Sequence, residues 1–240
     1  YDRSVFFVGP CFPPQAQPDA QQPADDEVIA WMDKMHAEGR RVVCINMGTI
    51  YYYQPQDYAH MVQALHMIHE QNPNVAFLWK IAQRPKHVQN IPSEDEAALP
   101  PYVRRLSWIP SMTAVMEHPA LAVMMHHGGG NSLNECLAYG IPQFCISQWV
   151  DTHDIGLCIR HSGVGLWSEY SPDFVPEDIC SQLLQLVEDK DHTFRHTALS
   201  WKLKTQQAGG TKFAADLIQS YVTDYTYAGG SSKAPMPHAM

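Results

Sequence analysis

The chain has 240 residues, of which 45% are apolar and 17% are charged, and its formal net charge is −9. A chain of this length can bury a substantial core as one large domain or two small ones, without disulfide bonds or metal ions. It has no apolar run of the roughly 18 residues that a membrane-spanning helix needs. It also has no cluster of Lys and Arg of the kind that neutralises nucleic-acid phosphates.

The cysteines and histidines argue against a metal site and for a reducing compartment. The six cysteines are scattered without a C-x-x-C pair, which predicts neither a zinc site nor a disulfide framework. Since no signal peptide is visible at the start either, we expect a cytoplasmic protein. His60, His66 and His69 share one predicted helix and His192 precedes His196 by four residues. The second spacing could hold a metal, but no third ligand lies nearby in sequence, so no metal is expected.

The two ends of the chain are predicted to lie outside the main domain. Residues 1–25 open with a short apolar strand, Val5 to Gly9, and continue with several prolines typical of an extended interdomain linker. Residues 26–225 form the predicted domain. Residues 226–240 are rich in Gly, Ser and Pro and are predicted to be a disordered tail.

Between these ends, apolar strands alternate with amphipathic helices. Strands of this kind, apolar along their whole length, are typical of a parallel sheet with helices on both faces. The pattern therefore predicts an α/β fold, a Rossmann-like doubly wound parallel sheet. The predicted strands cover residues 42–47, 75–80, 103–108, 121–125, 143–147 and 164–167, and the predicted helices cover 26–39, 58–71, 112–117, 131–139, 154–161, 176–189, 192–207 and 211–223.

A glycine-rich segment follows the fourth of these strands. Ligands of doubly wound folds bind beyond the carboxyl ends of the strands, and this segment, H-G-G-G-N-S over residues 127–132, then begins a helix. Glycines allow a close backbone approach, and a helix start offers free N–H groups to a phosphate. His127, Asn131 and Ser132 would add donors. The alternative is an ordinary glycine turn in which Ser132 and Glu135 form a capping box.

The wider sequence around this segment resembles the nucleotide-sugar signature of the family-1, UDP-dependent glycosyltransferases. The shared pattern is W-x-P, H-P, H-x-G-x-N-S, E, G-x-P and then W-x-D. The likeness is greatest to fungal members, and it covers nearly the whole chain but only the second half of such an enzyme. The matching segments are residues 108–111, 118–119, 127–135, 140–142 and 148–152, with 46–49 resembling the family's F-G-S loop and 7–10 its interdomain linker.

For the nucleoside, the resemblance implies three contacts. Trp108 would stack on uracil, the backbone of Ile109 would recognise the uracil edge, and Glu135 would accept hydrogen bonds from the ribose hydroxyls. A base–aromatic stack of this kind is worth about 1–3 kcal/mol. The structural alternatives are a core tryptophan and a helix-capping glutamate.

For the diphosphate and the sugar, the resemblance implies a further group. Thr49, His127, Asn131 and Ser132 would surround the diphosphate, and Asp151 would accept bonds from sugar hydroxyls. The alternative for Asp151 is a helix cap.

Several positions of the signature depart from the family pattern. Ser111 stands where Gln is usual, and Gly130, beside Gly129, stands where Trp is common, which leaves more room near the sugar. Thr152 replaces the Gln that helps plant members to select glucose. These changes affect the sugar subsite more than the UDP subsite, so Ser111, Gly129, Gly130 and Thr152 complete the expected donor-binding set.

Taken together, the resemblance implies the C-terminal, donor-binding half of a GT-B glycosyltransferase. The whole enzyme would transfer a sugar from a UDP-sugar, expected to be UDP-glucose, to a small-molecule or lipid hydroxyl with inversion and without a metal or other cofactor. The general base would be a histidine of an N-terminal acceptor-binding domain. No catalytic residue is therefore expected here, unless His153 and Asp154 supply the base.

Three alternatives remain. The chain could be the donor subunit of a two-chain enzyme, resembling the N-acetylglucosaminyltransferase that builds dolichol-linked sugars, or a nucleotide-sugar-binding module without catalysis. An NAD-dependent oxidoreductase is the third. It predicts G-x-G-x-x-G after an early strand, and residues 46–50 do not supply that motif.

Overall fold

The structure, a computed structural model, describes residues 6–11, 23–93 and 99–227. It contains six strands and eight helices within these ranges. The strands are β1 (Arg41–Asn46), β2 (Val75–Lys80), β3 (Val103–Leu106), β4 (Leu121–His126), β5 (Gln143–Cys145) and β6 (Gly165–Trp167). The helices are α1 (Pro23–Ala37), α2 (Pro55–Gln71), α3 (Met112–Glu117), α4 (Gly130–Tyr139), α5 (Val150–Ser162), α6 (Pro176–Glu188), α7 (Thr193–Gln207) and α8 (Gly210–Tyr227).

The six strands form one parallel sheet in the order β3-β2-β1-β4-β5-β6. The first three strands extend the sheet in one direction from β1, and the last three extend it in the other. The α/β, doubly wound fold expected from the alternation of strands and helices is therefore confirmed. The order reverses between β1 and β4, which is where such folds bind ligands.

Each face of the sheet carries its own apolar core. Along β1, Val43 and Ile45 pack on one side with residues of α2 and α6, whereas Val42 and Cys44 pack on the other with residues of α1, α3 and α4. This alternation follows from the two-residue period of a strand. Since both faces are covered, all residues of β2 and β4 are buried, which is why their sequences are almost continuously apolar.

Some predicted boundaries were wrong. Residues 6–11 form no strand, although one was predicted over 5–9. Strand β3 ends at Leu106, so Trp108 lies in a loop, and β5 ends at Cys145. Helix α5 begins at Val150 and not near 154. Most of the predicted linker (12–22) and of the predicted tail (228–240) lies outside the described residues.

Two further observations concern the cysteines and the helices. All six cysteines are free thiols, in agreement with the absence of a disulfide pattern in the sequence. Over the described ranges, none of the helices combines the length and the apolar character that crossing a bilayer requires.

Candidate functional site

A cleft of about 700 Å³ lies at the point where the strand order reverses. Its walls are the loop after β1, the end of β2, the loop after β3 with the start of α3, and the loop that leads from β4 into α4. Nine of the twelve residues predicted to bind a donor line it. The lining residues are Asn46, Gly48, Thr49, Ile50, Lys80, Trp108, Ile109, Met112, His127, Gly129, Gly130, Asn131, Ser132 and Glu135.

A larger groove, of about 820 Å³, lies at the other end of the sheet. It is formed by the C-terminal part of α2, including Met67, by one side of α6 from Glu177 to Glu188, and by the turn that follows α6 with the start of α7. The helices of a doubly wound fold run antiparallel to the strands, so the C-terminal end of a helix lies beside the amino ends of the strands. The turn after α6 therefore places this groove at the amino ends. The cleft at the carboxyl ends is therefore the better candidate site.

Trp108 is a surface residue at the edge of the cleft, not a core tryptophan. Its side chain is 60% exposed, whereas the next residue, Ile109, is buried against the core. Because Ile109 anchors this short loop, the indole is held where it can contact a ligand. One side of the ring faces the ammonium of Lys80, with Nζ 4.7 Å from the ring centroid.

The glycine loop presents the start of helix α4 to the cleft. Gly128 has a φ of +87°, and Gly129 is the residue before the first turn, without a side-chain cap. Ser132 therefore lies in the first turn and not at the N-cap, so the alternative in which Ser132 and Glu135 form a capping box does not apply. The first N–H groups of an uncapped helix lack intrahelical partners and are free to bind an anion.

His126, which the sequence analysis did not select, fixes the shape of this loop. It is fully buried, and its Nδ1 accepts a hydrogen bond from the backbone N–H of Gly128 at 3.0 Å. Its Nε2 therefore carries the proton and donates to Oε1 of Gln143 at 2.9 Å. Burial lowers the pKa of His126 to about 4, so the neutral imidazole holds the loop at physiological pH.

His127 is wedged between the two sides of the cleft. A Cβ added at Gly48 or at Gly129 would lie 2.7 Å from its ring, and the ring of Trp149 packs edge-on against it at 5.4 Å. Its buried Nδ1 has no hydrogen-bond partner among the described residues. Burial lowers the pKa of His127, and the nearby charge of Asp151 opposes this shift.

Glu135 provides a carboxylate one helical turn farther along α4. It is partly buried, and this burial raises its pKa. No described residue donates a hydrogen bond to it, so both oxygens are available to ligand hydroxyl groups.

Three predicted residues do not line the cleft. Ser111 caps α3 by accepting the N–H of Ala114 at 3.2 Å. Thr152 is buried, and its hydroxyl accepts the N–H of Trp149 at 2.9 Å, so it shapes the loop before α5. Asp151 is exposed in the first turn of α5, close enough to His127 for its charge to affect that ring.

Lys80 is a second residue that the sequence analysis did not select. It ends strand β2, and its Nζ donates to Oδ1 of Asn46 at 3.3 Å and to the carbonyl of Gly48 at 3.4 Å. The available signal was a single charged residue at the carboxyl end of an otherwise apolar strand.

Comparisons with solved structures identify the same fold in two larger proteins. The glycotransferase of kitacinnamycin matches with a TM-score of 0.65 at 22% identity, over 90% of this chain and 49% of that one. Os79 from O. sativa matches with a TM-score of 0.66 at 18% identity, over 83% of this chain and 44% of that one.

Curated relatives are named as glycosyltransferases. Erythritol-mannosyl-transferase 1 of Mycosarcoma maydis is 26% identical over 88% of this chain and 43% of its own length. The limonoid UDP-glucosyltransferase of Citrus unshiu is 27% identical over 90% of this chain and 44% of its own length. The chain thus spans less than half the length of these relatives.

The resemblance to glycosyltransferases found in the sequence is therefore confirmed. Residues 86–213, slightly more than half of the chain, also match a family described by its C-terminal domain. The chain belongs to the family of the erythromycin biosynthesis protein CIII-like C-terminal domain.

Proposed function

We propose that this chain binds the donor, a UDP-sugar, for an inverting glycosyltransferase that acts on a small-molecule or lipid hydroxyl. One observation carries the proposal: an exposed indole, a free carboxylate and an uncapped helix start converge on a single cleft. These three groups match a base, a ribose and a diphosphate in chemistry. The names of the relatives support the same reaction class.

The arrangement suggests how each part of the donor is held. Uracil stacks on Trp108, and the ribose hydroxyls donate to Glu135. The diphosphate lies against the first N–H groups of α4, near the side chains of Asn131 and Thr49. Backbone amides that are already oriented cost little reorganisation when the anion binds.

The same groups stabilise the leaving group. In an inverting transfer the acceptor oxygen bonds to the anomeric carbon as the bond from that carbon to the diphosphate breaks. UDP leaves with the bonding electron pair, and the acceptor proton goes to a base. The N-terminus of α4 and His127 face the developing charge on the diphosphate. We place the base on an acceptor-binding domain, in the same polypeptide or in a partner chain, and assign no metal or other cofactor.

Titration of the chain with UDP in a calorimeter tests this proposal. We expect saturable binding that Trp108→Ala weakens about 5- to 150-fold, which corresponds to the loss of one base–aromatic stack. Tyr170→Ala is the matched control, since Tyr170 is also an exposed aromatic after a strand but lies outside the cleft. If wild type does not bind UDP, or if Trp108→Ala binds it equally well, the proposed nucleoside site is wrong.

The transferred sugar is a separate question. We favour UDP-glucose, but the mannosyl-transfer named for the relative from Mycosarcoma maydis makes a mannose donor the second candidate. Saturation-transfer NMR with UDP-glucose, UDP-N-acetylglucosamine and GDP-mannose would distinguish them. A uracil-specific site should show contacts to the first two only.

Asp151 gives a test that is specific for the sugar. Its carboxylate is exposed beside His127, and we assign it to sugar hydroxyls. Asp151→Ala should therefore weaken binding of a UDP-sugar about tenfold and change the affinity for UDP itself by less than twofold. Equal losses for both ligands would instead assign Asp151 to the shape of the α5 start.

Two other functions share this site. A donor subunit of a two-chain enzyme would bind UDP in the same way but transfer sugar only with its partner. A nucleotide-sugar-binding module would show no transfer with any partner. The length of the relatives favours an enzyme with a second half, and mixing experiments with an acceptor-binding domain would separate these possibilities.

A further inference from the structure

Lys80 is a buried cation at the floor of the cleft. It is 6% exposed and pairs in register with Asn46, the last residue of the adjacent strand β1. Five apolar, buried residues precede it in β2. The strand therefore places this side chain at the carboxyl edge of the sheet, where its ammonium contacts Asn46 and Gly48.

The described partners of this ammonium are all neutral. Its two oxygen contacts, at 3.3 and 3.4 Å, are longer than the usual 2.7–2.9 Å of a charge-assisted bond. No carboxylate of a described residue forms an ion pair with it. A buried charge without a counter-ion is unfavourable, and burial accordingly lowers the pKa of Lys80. An anion in the cleft would remove this cost.

The distribution of charged residues in the cleft also favours an anion beside Lys80. Among the described residues that line it, Lys80 is the only lysine or arginine, whereas Glu135 adds a carboxylate. The chain as a whole carries a net charge of −9. A nucleoside diphosphate brings at least two further negative charges. Helix amides supply partial charges only, so the full positive charge of Lys80 would neutralise part of the diphosphate.

We propose that Lys80 binds the diphosphate of a nucleoside diphosphate, and that the same ammonium holds the indole of Trp108 in place for the base. The contact with Trp108 explains the second part. Nζ lies 4.7 Å from the ring centroid on one side of the indole, a favourable cation–π geometry. The other side remains for stacking. This inference rests on the proposed function, because it assumes that the cleft takes a nucleotide.

The test compares UDP with uridine, which lacks both phosphates. We expect wild type to prefer UDP, and Lys80→Met to weaken UDP binding at least tenfold but uridine binding less than threefold. Lys80→Arg, which keeps the charge, should retain most of the preference. Lys34→Met is the control, since Lys34 is an exposed lysine of α1 outside the cleft, and it should leave both affinities unchanged.

The outcomes separate this inference from the proposed function. If wild type binds neither ligand, the proposed function fails. If wild type binds UDP but Lys80→Met loses equal factors for both ligands, Lys80 only supports Trp108 and its role at the diphosphate is overturned. Melting temperatures show whether each variant is folded. If Lys80→Met does not fold, the same comparison of UDP affinity with uridine affinity is made with Lys80→Gln, a neutral and polar replacement.

Discussion

Gly128→Val is expected to destabilise the protein by about 2–6 kcal/mol and to weaken UDP binding by at least tenfold. Gly128 has a φ of +87°, which costs a β-branched residue about 1–3 kcal/mol. An added Cβ would also lie 2.7 Å from the carbonyl oxygen of Thr152 and 3.1 Å from Sγ of Cys145. Overpacking of this kind typically costs roughly a further 1–3 kcal/mol, because the backbone must move to make room for the side chain.

Binding is affected because this glycine directs the chain into α4. When the loop moves, the first N–H groups of the helix no longer converge on one point. Urea unfolding measures the first effect and calorimetry with UDP the second. Gly130→Ala is the control for stability, since a Cβ there meets nothing within 4 Å and should change the unfolding free energy by at most about 1 kcal/mol. An unchanged urea midpoint for Gly128→Val would contradict the expectation.

Acidification should destabilise the protein through His126. Burial lowers the pKa of this group from 6.5 to about 4 in the folded chain. The unfolded chain therefore binds a proton at this imidazole near pH 6.5, whereas the folded chain binds it only near pH 4. The unfolding free energy is constant with respect to this group above pH 6.5 and falls as the pH drops from 6.5 to 4. The integrated loss is about 3 kcal/mol.

The measurement is urea unfolding at half-unit steps from pH 7.5 to pH 4.5, with His126→Asn as the comparison. The variant should be less stable at pH 7, since it lacks the bond to Gln143, but its stability should depend less on pH. The same pH dependence in both proteins would show that His126 does not govern the acid response. UDP affinity should decrease only as the pH approaches 4, because the ring of the folded chain takes up a proton there and loses its acceptor for Gly128 N–H.

The fold was predictable because its signals are long and repeated. Strands such as β2 are apolar at nearly every residue since both faces are covered, and this distinguishes them from helices by period and length. The position of the cleft then followed from a general property of doubly wound sheets. Trp108, His127 and Glu135 were selected from a sequence pattern, and the structure brings them into one cleft.

The remainder depended on contacts that no local pattern encodes. Thr152 was assigned to the donor, yet its hydroxyl holds the backbone of residue 149, because α5 begins four residues earlier than its apolar pattern indicated. His126 was not selected, because its local sequence does not indicate that its ring is fully buried and bonded to Gly128 and Gln143. Lys80 gained its significance from the neighbouring strand and from a tryptophan 28 residues later.

The position of the His127 ring constrains how this site can evolve. Gly48 and Gly129 lie on either side of the imidazole, and a methyl group at either position would lie 2.7 Å from it. A larger residue at 129 therefore requires a smaller group at 127, whereas at 48 the φ of +86° disfavours a side chain even after that change. Positions 127 and 129 are thus coupled, with a preferred order of substitution in which the histidine changes before Gly129.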